Sequence, residues 1–156
     1  MELRERIQNA TKEAMKARDQ QRLSTLRLIG AAIKDREIAA RGEPGNEGAD
    51  GLREEDLVAL LSKMVKQRQE SARAFEEGGR IELAEREQAE ITVIQEFLPR
   101  QLDDAEVAAA LDRVIADLGA SSVRDMGRVM GELRARHAGQ MDFGAVGALV
   151  KSRLMG

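Results

Sequence analysis

REEDLVALLSKMVKQRQESARAFEE (residues 53–77), Gly78-Gly79 and RIELAEREQAEITVIQEF (residues 80–97) decide the fold of this 156-residue chain. In the first segment Leu57, Leu60, Leu61, Met64, Arg68, Ala72 and Phe75 recur at three- and four-residue steps. That spacing puts side chains on one face of an α-helix. Leu83, Ile91, Ile94 and Phe97 do the same in the second segment. The two glycines between them stop one helix and permit the reversal into the next, so the pair reads as a long antiparallel helix hairpin. Pro99 closes the segment, because its ring and missing N–H oppose a further helical turn.

Working outward, residues 2–18 carry Leu3, Ile7, Ala10 and Ala14 at helical spacing, and residues 20–40 continue with Leu23, Leu26, Ile29, Ile33 and Ala40. Gly30 inside that second run costs ~1 kcal/mol relative to Ala, which predicts close approach of a neighbouring helix. Residues 42–51, with four glycines, a proline and three acids, read as a solvated loop. Beyond Pro99 the helices shorten. Asp103 with Glu106 has capping-box spacing and opens a helix through Val107, Leu111, Val114, Ile115 and Leu118, ended by Gly119. Ser122 with Asp125 starts another, carrying Val123, Met126, Val129, Met130 and Leu133 to about Arg136. Asp142 caps the last, with Phe143, Val146, Leu149, Val150 and Leu154 on its apolar face. No stretch alternates with strand period. The expectation is an all-α protein: a helical N-terminal domain over 1–99 with the long hairpin, and a small three-helix C-terminal domain over 100–156.

Composition narrows the chemistry. The chain has no Cys, no Trp, no Tyr and a single histidine, His137. Nucleophilic catalysis calls for an activated side chain beside a positioned base, most often His. A metal centre needs several ligands converging on one point. Neither constellation is present, so no catalytic residue, metal or cofactor is assigned. His137 reads as a helix C-terminal residue favoured by the dipole, and Ser122 as a cap. No apolar run reaches the ~18 residues of a membrane span, and residues 1–18 are too charged for a signal peptide. With no cysteine to oxidise, the chain reads as a cytoplasmic protein with no membrane partner.

The net charge of −3 is unevenly spread. Residues 1–41 hold ten Lys/Arg against six Asp/Glu, residues 42–56 one against six, and residues 119–156 six against three. The last group, Arg124, Arg128, Arg134, Arg136, Lys151 and Arg153, is the candidate phosphate-contacting surface. The competing reading is an ordinary solvated face. Gly127 and Gly131 form a G-x-x-x-G step in the same segment; helix packing is the first reading, close approach of RNA backbone the second. A further basic set, Lys63, Lys66, Arg68 and Arg73, is interleaved with acids and reads as surface ion pairing. Arg68 falls on the apolar stripe and is expected to pair with Glu87 or Glu90. Phe75, Phe97 and Phe143 also fall on apolar stripes and read as core. With no ring left for stacking on unpaired bases, any RNA partner is recognised by folded shape and phosphates.

Several motifs carry a resemblance. Lys66-Gln-Arg-Gln-Glu-Ser-Ala-Arg-Ala-Phe-Glu-Glu-Gly-Gly-Arg80, Glu96-Phe-Leu-Pro-Arg-Gln-Leu102, Ala120-Ser-Ser-Val-Arg-Asp-Met-Gly-Arg-Val-Met-Gly131 and Arg22-Leu-Ser-Thr-Leu-Arg27 together resemble the GatB/YqeY family, in its free-standing YqeY-like form. The loop over 42–51 is longer and richer in glycine than the usual family connection, and the turn His137–Phe143 follows the family pattern only loosely. The resemblance implies a helical N-terminal domain joined to a three-helix module like the tail of the tRNA-dependent amidotransferase B subunit, which contacts tRNA. The amidotransferase's kinase and transamidation chemistry lies in domains this chain lacks. The leading expectation is therefore a non-catalytic tRNA-binding accessory to amidation or aminoacylation. The alternative is a protein adaptor docking on an amidotransferase or aminoacyl-tRNA synthetase. A third is a carbon–nitrogen ligase using glutamine as amido donor, a label that family inheritance alone would supply.

Overall fold

Among the described residues, aliphatic side chains at helical spacing, bounded by caps and glycines, fold as seven α-helices. The computed structural model describes residues 2–42 and 51–155, and among these it contains no strand. The chain is all-α. Residues 43–50 of the expected glycine-rich loop lie outside the described residues. The chain divides into two compact units, Met1–Leu98 and Pro99–Gly156.

The first unit holds α1 (Leu3–Ala17), α2 (Gln20–Arg41), α3 (Glu54–Glu77) and α4 (Ile81–Gln95). Leu3, Ile7, Ala10 and Ala14 of α1 meet Leu23, Leu26, Ile29 and Ile33 of α2. Leu57, Leu61, Met64 and Val65 of α3 complete the core with Ile91, Ile94 and Phe97. Arg6 and Arg22 tie α1 and α2 to the end of α4. The Arg6 guanidinium lies 5.6 Å from the Phe97 ring centre and donates to the Glu96 carbonyl at 3.0 Å, while Arg22 pairs with the Glu96 carboxylate. Further along the α3–α4 hairpin, small buried residues, Ala72 and Ala84, take over the packing. Arg68 donates to Glu90 at 2.9 Å and to the Met64 carbonyl at 3.2 Å, so its pair is Glu90 and not Glu87. The hairpin turns on Gly79, whose φ of +76° is a left-handed value that glycine adopts without a Cβ clash.

Arg18 makes the other tight turn at a cost. It closes α1 with φ 57° and is the non-glycine residue with positive φ among the described residues. Asp19 then caps α2, its side chain accepting from the Arg22 N–H at 3.2 Å. Left-handed backbone costs a side-chain-bearing residue roughly 1–2 kcal/mol. Part of that relief is offset by the greater freedom glycine has when unfolded. Arg18→Gly is therefore expected to stabilise the first unit by about 0.5–1 kcal/mol, read as a higher thermal midpoint; a lower midpoint contradicts the strain.

The second unit holds α5 (Asp104–Leu118), a 3₁₀ turn (Val123–Asp125), α6 (Met126–Arg136) and α7 (Phe143–Met155). Val107, Leu111 and Val114 pack on Val129, Met130 and Leu133 and on Val146, Val150 and Leu154, with Met141 beneath. The expected capping box is formed: Asp103 accepts from the Glu106 N–H at 2.8 Å, and Glu106 accepts from the Asp103 N–H at 3.1 Å. Arg100 adds two hydrogen bonds to the Glu106 carboxylate, at 2.8 and 2.6 Å. These bonds, Arg100's above all, hold the Glu106 pKa down at about 2. A folded pKa below the unfolded value of about 4.3 means the contribution is complete above that value. It is lost as pH falls toward about 2. A carboxyl-carbon NMR titration should place the Glu106 midpoint near about 2 and move it upward in Arg100→Ala. An ordinary midpoint in the parent contradicts the grip.

Several expectations are corrected by the packing. Gly30, Gly127 and Gly131 were expected to seat a neighbouring helix, but a Cβ built on each meets nothing within 4 Å. The glycine that admits a neighbour is Gly147 of α7, where a Cβ would lie 3.9 Å from Met126 Cε and 4.0 Å from Met130 Cε. Leu149 faces outward at 50% exposure, and Val123 is exposed as well. The first two turns of α7, residues 143–150, are apolar or small throughout, so the sequence there does not say which stripe turns inward. Of the three phenylalanines only Phe97 is buried; Phe75 and Phe143 are half-buried. Leu83 is half-buried too, with Ala84 taking the inward position.

Candidate nucleic-acid interface

The six C-terminal cations divide into two kinds. Arg136 lies between two carboxylates, 2.8 Å from Asp117 and 2.8 Å from Glu132, which push its pKa up. Arg153 pairs with Asp112 of α5. Both charges are answered within the unit and have little left to offer a phosphate. Arg124 and Lys151 are exposed and pair with no acid among the described residues. Arg134 is exposed, its guanidinium 5.7 Å from the Phe143 ring centre; this contact steadies the side chain without cancelling its charge. Arg128 falls between these kinds. It pairs with Asp125 at 3.0 Å, one turn back, yet its side chain remains 58% exposed.

Backbone geometry explains the position of Arg124 and Arg128. Asp125 accepts hydrogen bonds from the Ser121 and Ser122 N–H groups at 3.0 and 3.3 Å, which shapes the 3₁₀ turn that presents Arg124. Those two backbone donors, and then Arg128, hold the Asp125 pKa down. The carboxylate is thus occupied mainly with the turn. Val129, Met130 and Leu133 point inward from α6, leaving Gly127, Gly131 and Ala135 exposed on the opposite side. Arg124 and Arg128 stand at the N-terminal end of this bare strip, and Arg134 along its flank. An anionic backbone can approach there without meeting side chains, and its charge is met by cations around the strip.

Hydrogen bonds within the second unit brace this surface. Asp142 caps α7, accepting from the Gly144 and Ala145 N–H groups at 3.0 and 3.4 Å. The segment after Pro99 is tied to the α6–α7 turn by Leu102 N–H to the Gln140 carbonyl at 2.9 Å and by Gln101 to the Gly139 carbonyl. His137 Nδ1 lies 3.2 Å from Gln140 Oε1, inside that brace.

The described residues hold no group of three or more potential metal ligands. The groups whose pKa departs from the ordinary value, Arg100, Glu106, Asp125 and Arg136, are held by ion pairs and caps. A cleft between α2 and α4 is lined by Gln21, Ser24, Thr25, Glu82, Glu85, Arg86 and Glu90. Its buried Thr25 hydroxyl is spent on the Gln21 carbonyl at 3.3 Å. No described helix is long and apolar enough to cross a membrane.

The family model of the YqeY-like proteins matches residues 4–154, nearly the whole chain. The chain belongs to the YqeY-like family. Among its relatives is "Altered inheritance of mitochondria protein 41, mitochondrial" of Lachancea thermotolerans, 34% identical over 113 residues. The match covers 71% of this chain and 57% of that relative. The protein of the same name from Saccharomyces cerevisiae is 30% identical over 128 residues, covering 78% of this chain and 65% of the relative. The chain therefore spans less than two thirds of the length of these relatives. Their names correct the cytoplasmic expectation, since both are called mitochondrial. A lack of cysteine suits any reducing compartment, so composition never distinguished the cytoplasm from a mitochondrial interior.

Proposed function

We propose that this YqeY-like chain is a non-catalytic module that binds the outside of folded tRNA through its second unit. Arg124, Arg128, Arg134 and Lys151 meet phosphates, and the bare Gly127–Gly131 strip admits the backbone. The observation carrying this reading is the strip itself: glycines that seat no neighbour, bordered by cations that stay exposed. Kinship with the amidotransferase tail, read from the motifs, supports tRNA as the RNA. The module assists amidation or aminoacylation and performs neither. Arg136 and Arg153 are withdrawn from the contact set, because their charges are already paired.

The test is the affinity of the full chain for total tRNA against an equal mass of double-stranded DNA, across a salt series. Preferential tRNA binding in the micromolar range, weakening as salt rises, is the expected result. Absence of binding at near-physiological salt contradicts it. A second reading, a protein adaptor, is favoured by the outward Leu149 and Met155 of α7, 50% and 67% exposed.

A further inference from the structure

Helix α2 has a second patterned face, opposite the one it buries. Leu26, Ile29 and Ile33 point into the core. On the other side Leu28 and Ile38 are 43% and 56% exposed, with Ser24, Ala31 and Asp35 also exposed between and beside them. Residues 24, 28, 31, 35 and 38 step by four, three, four and three, the spacing of a heptad seam. With Leu28 at position a, Ala31 and Ile38 fall at d and Asp35 at the next a. Arg27, Lys34 and Arg41 then all fall at g, seven residues apart. All three are exposed, and none pairs with an acid among the described residues. The N-terminal end of the seam opens into a shallow hollow lined by Gln20, Leu23, Ser24, Arg27 and Leu28.

From this pattern we infer that the outer face of α2 docks an acidic amphipathic helix of a protein partner. Charge selects that occupant. In paired helices the g row of one chain meets the e row of a parallel neighbour, and the charges there choose the partner. The e positions of α2 are Thr25, Ala32 and Ala39, so a second copy offers no acid to the basic row, and an antiparallel copy sets cation against cation. A phosphate backbone answers the cations but has no use for Leu28 and Ile38. A membrane surface calls for a broad apolar face with aromatic anchors; this strip has two large aliphatics, and the chain has neither Trp nor Tyr. The partner helix carries Asp or Glu at e and aliphatics at a and d. It places a Lys, Arg or Asn against Asp35, which fixes the register as a polar a residue does.

The inference uses a different unit from the tRNA surface, so either can fail alone. The test titrates the full chain with a synthetic peptide of about three heptads, Leu and Ile at a and d, Glu at e, and one Lys facing Asp35. The control peptide carries Lys at e. Binding of the Glu peptide at least about tenfold tighter than the control is expected. That preference should invert in Arg27→Glu/Lys34→Glu/Arg41→Glu. Ile38→Ser should weaken the Glu peptide while leaving tRNA affinity unchanged. These positions are exposed, so circular dichroism should show the variants folded as the parent is. Equal binding of the two peptides, or none, overturns the inference. Loss of tRNA affinity in the triple variant also overturns it, by making the row an RNA surface.

Discussion

In Arg124→Glu/Arg128→Glu, tRNA affinity should fall by about tenfold or more at ~0.1 M salt, with the thermal midpoint nearly unchanged. Each lost phosphate contact removes a released counterion, so the slope of log affinity against log salt should drop by about one per contact. Reversing the charge adds repulsion to that loss. Stability should hold because Arg124 pairs with nothing among the described residues, and Arg128, 58% exposed, gives up only its surface pair with Asp125 and a long 3.5 Å bond to the Leu118 carbonyl. Exposed pairs are worth about 0–1 kcal/mol. Asp125 keeps its two backbone partners either way. Arg136→Glu is the informative contrast: it breaks two ion pairs, so its effect should fall on stability before it falls on RNA binding. Unchanged affinity in the double variant would remove this surface from the tRNA reading.

Leu133→Ala should unfold the second unit. Leu133 is fully buried at the centre of the three-helix core, against Val107, Leu111 and Val150 among others. Truncating a buried leucine costs about 2–5 kcal/mol. A single core of this size supplies no more than roughly 3–5 kcal/mol, so the loss is most of what holds the unit. Amide exchange or NMR at ~37 °C should show residues of the second unit unprotected while Leu26, Leu61 and Ile94 in the first remain protected. Simultaneous loss of both would mean that the two units share one folding transition. Leu149→Ala is the control on the same element, since Leu149 is half exposed.

The helices were legible in the sequence because their ends are chemically marked. Asp103 with Glu106, Asp142, Gly79 and Gly119 each sit where the structure begins or ends an element. Legibility failed where one residue type supports two arrangements. A G-x-x-x-G step suits a helix contact or an open strip, and only the placement of α5 and α7 decides that Gly127 and Gly131 are open while Gly147 is covered. In α7, Leu149 matches the inward pattern as well as Val150 does, because residues 143–150 are apolar or small throughout. The candidate surface suffered from the same gap. Arg153 and Asp112 lie forty-one residues apart, and nothing local announces their pairing. The cation excess over residues 1–41 was legible as charge, but the row Arg27, Lys34 and Arg41 emerged only with the knowledge that Leu26, Ile29 and Ile33 already occupy the other face.

The most direct test of the central claim is amide chemical-shift mapping of the full chain titrated with purified tRNA. The Gly127 and Gly131 amides, with those of Arg124, Arg128 and Lys151, should shift or broaden, and α2 should stay unmoved. Perturbation confined to the first unit, or none at saturating tRNA, would contradict the assignment of the second unit as the RNA-contacting surface.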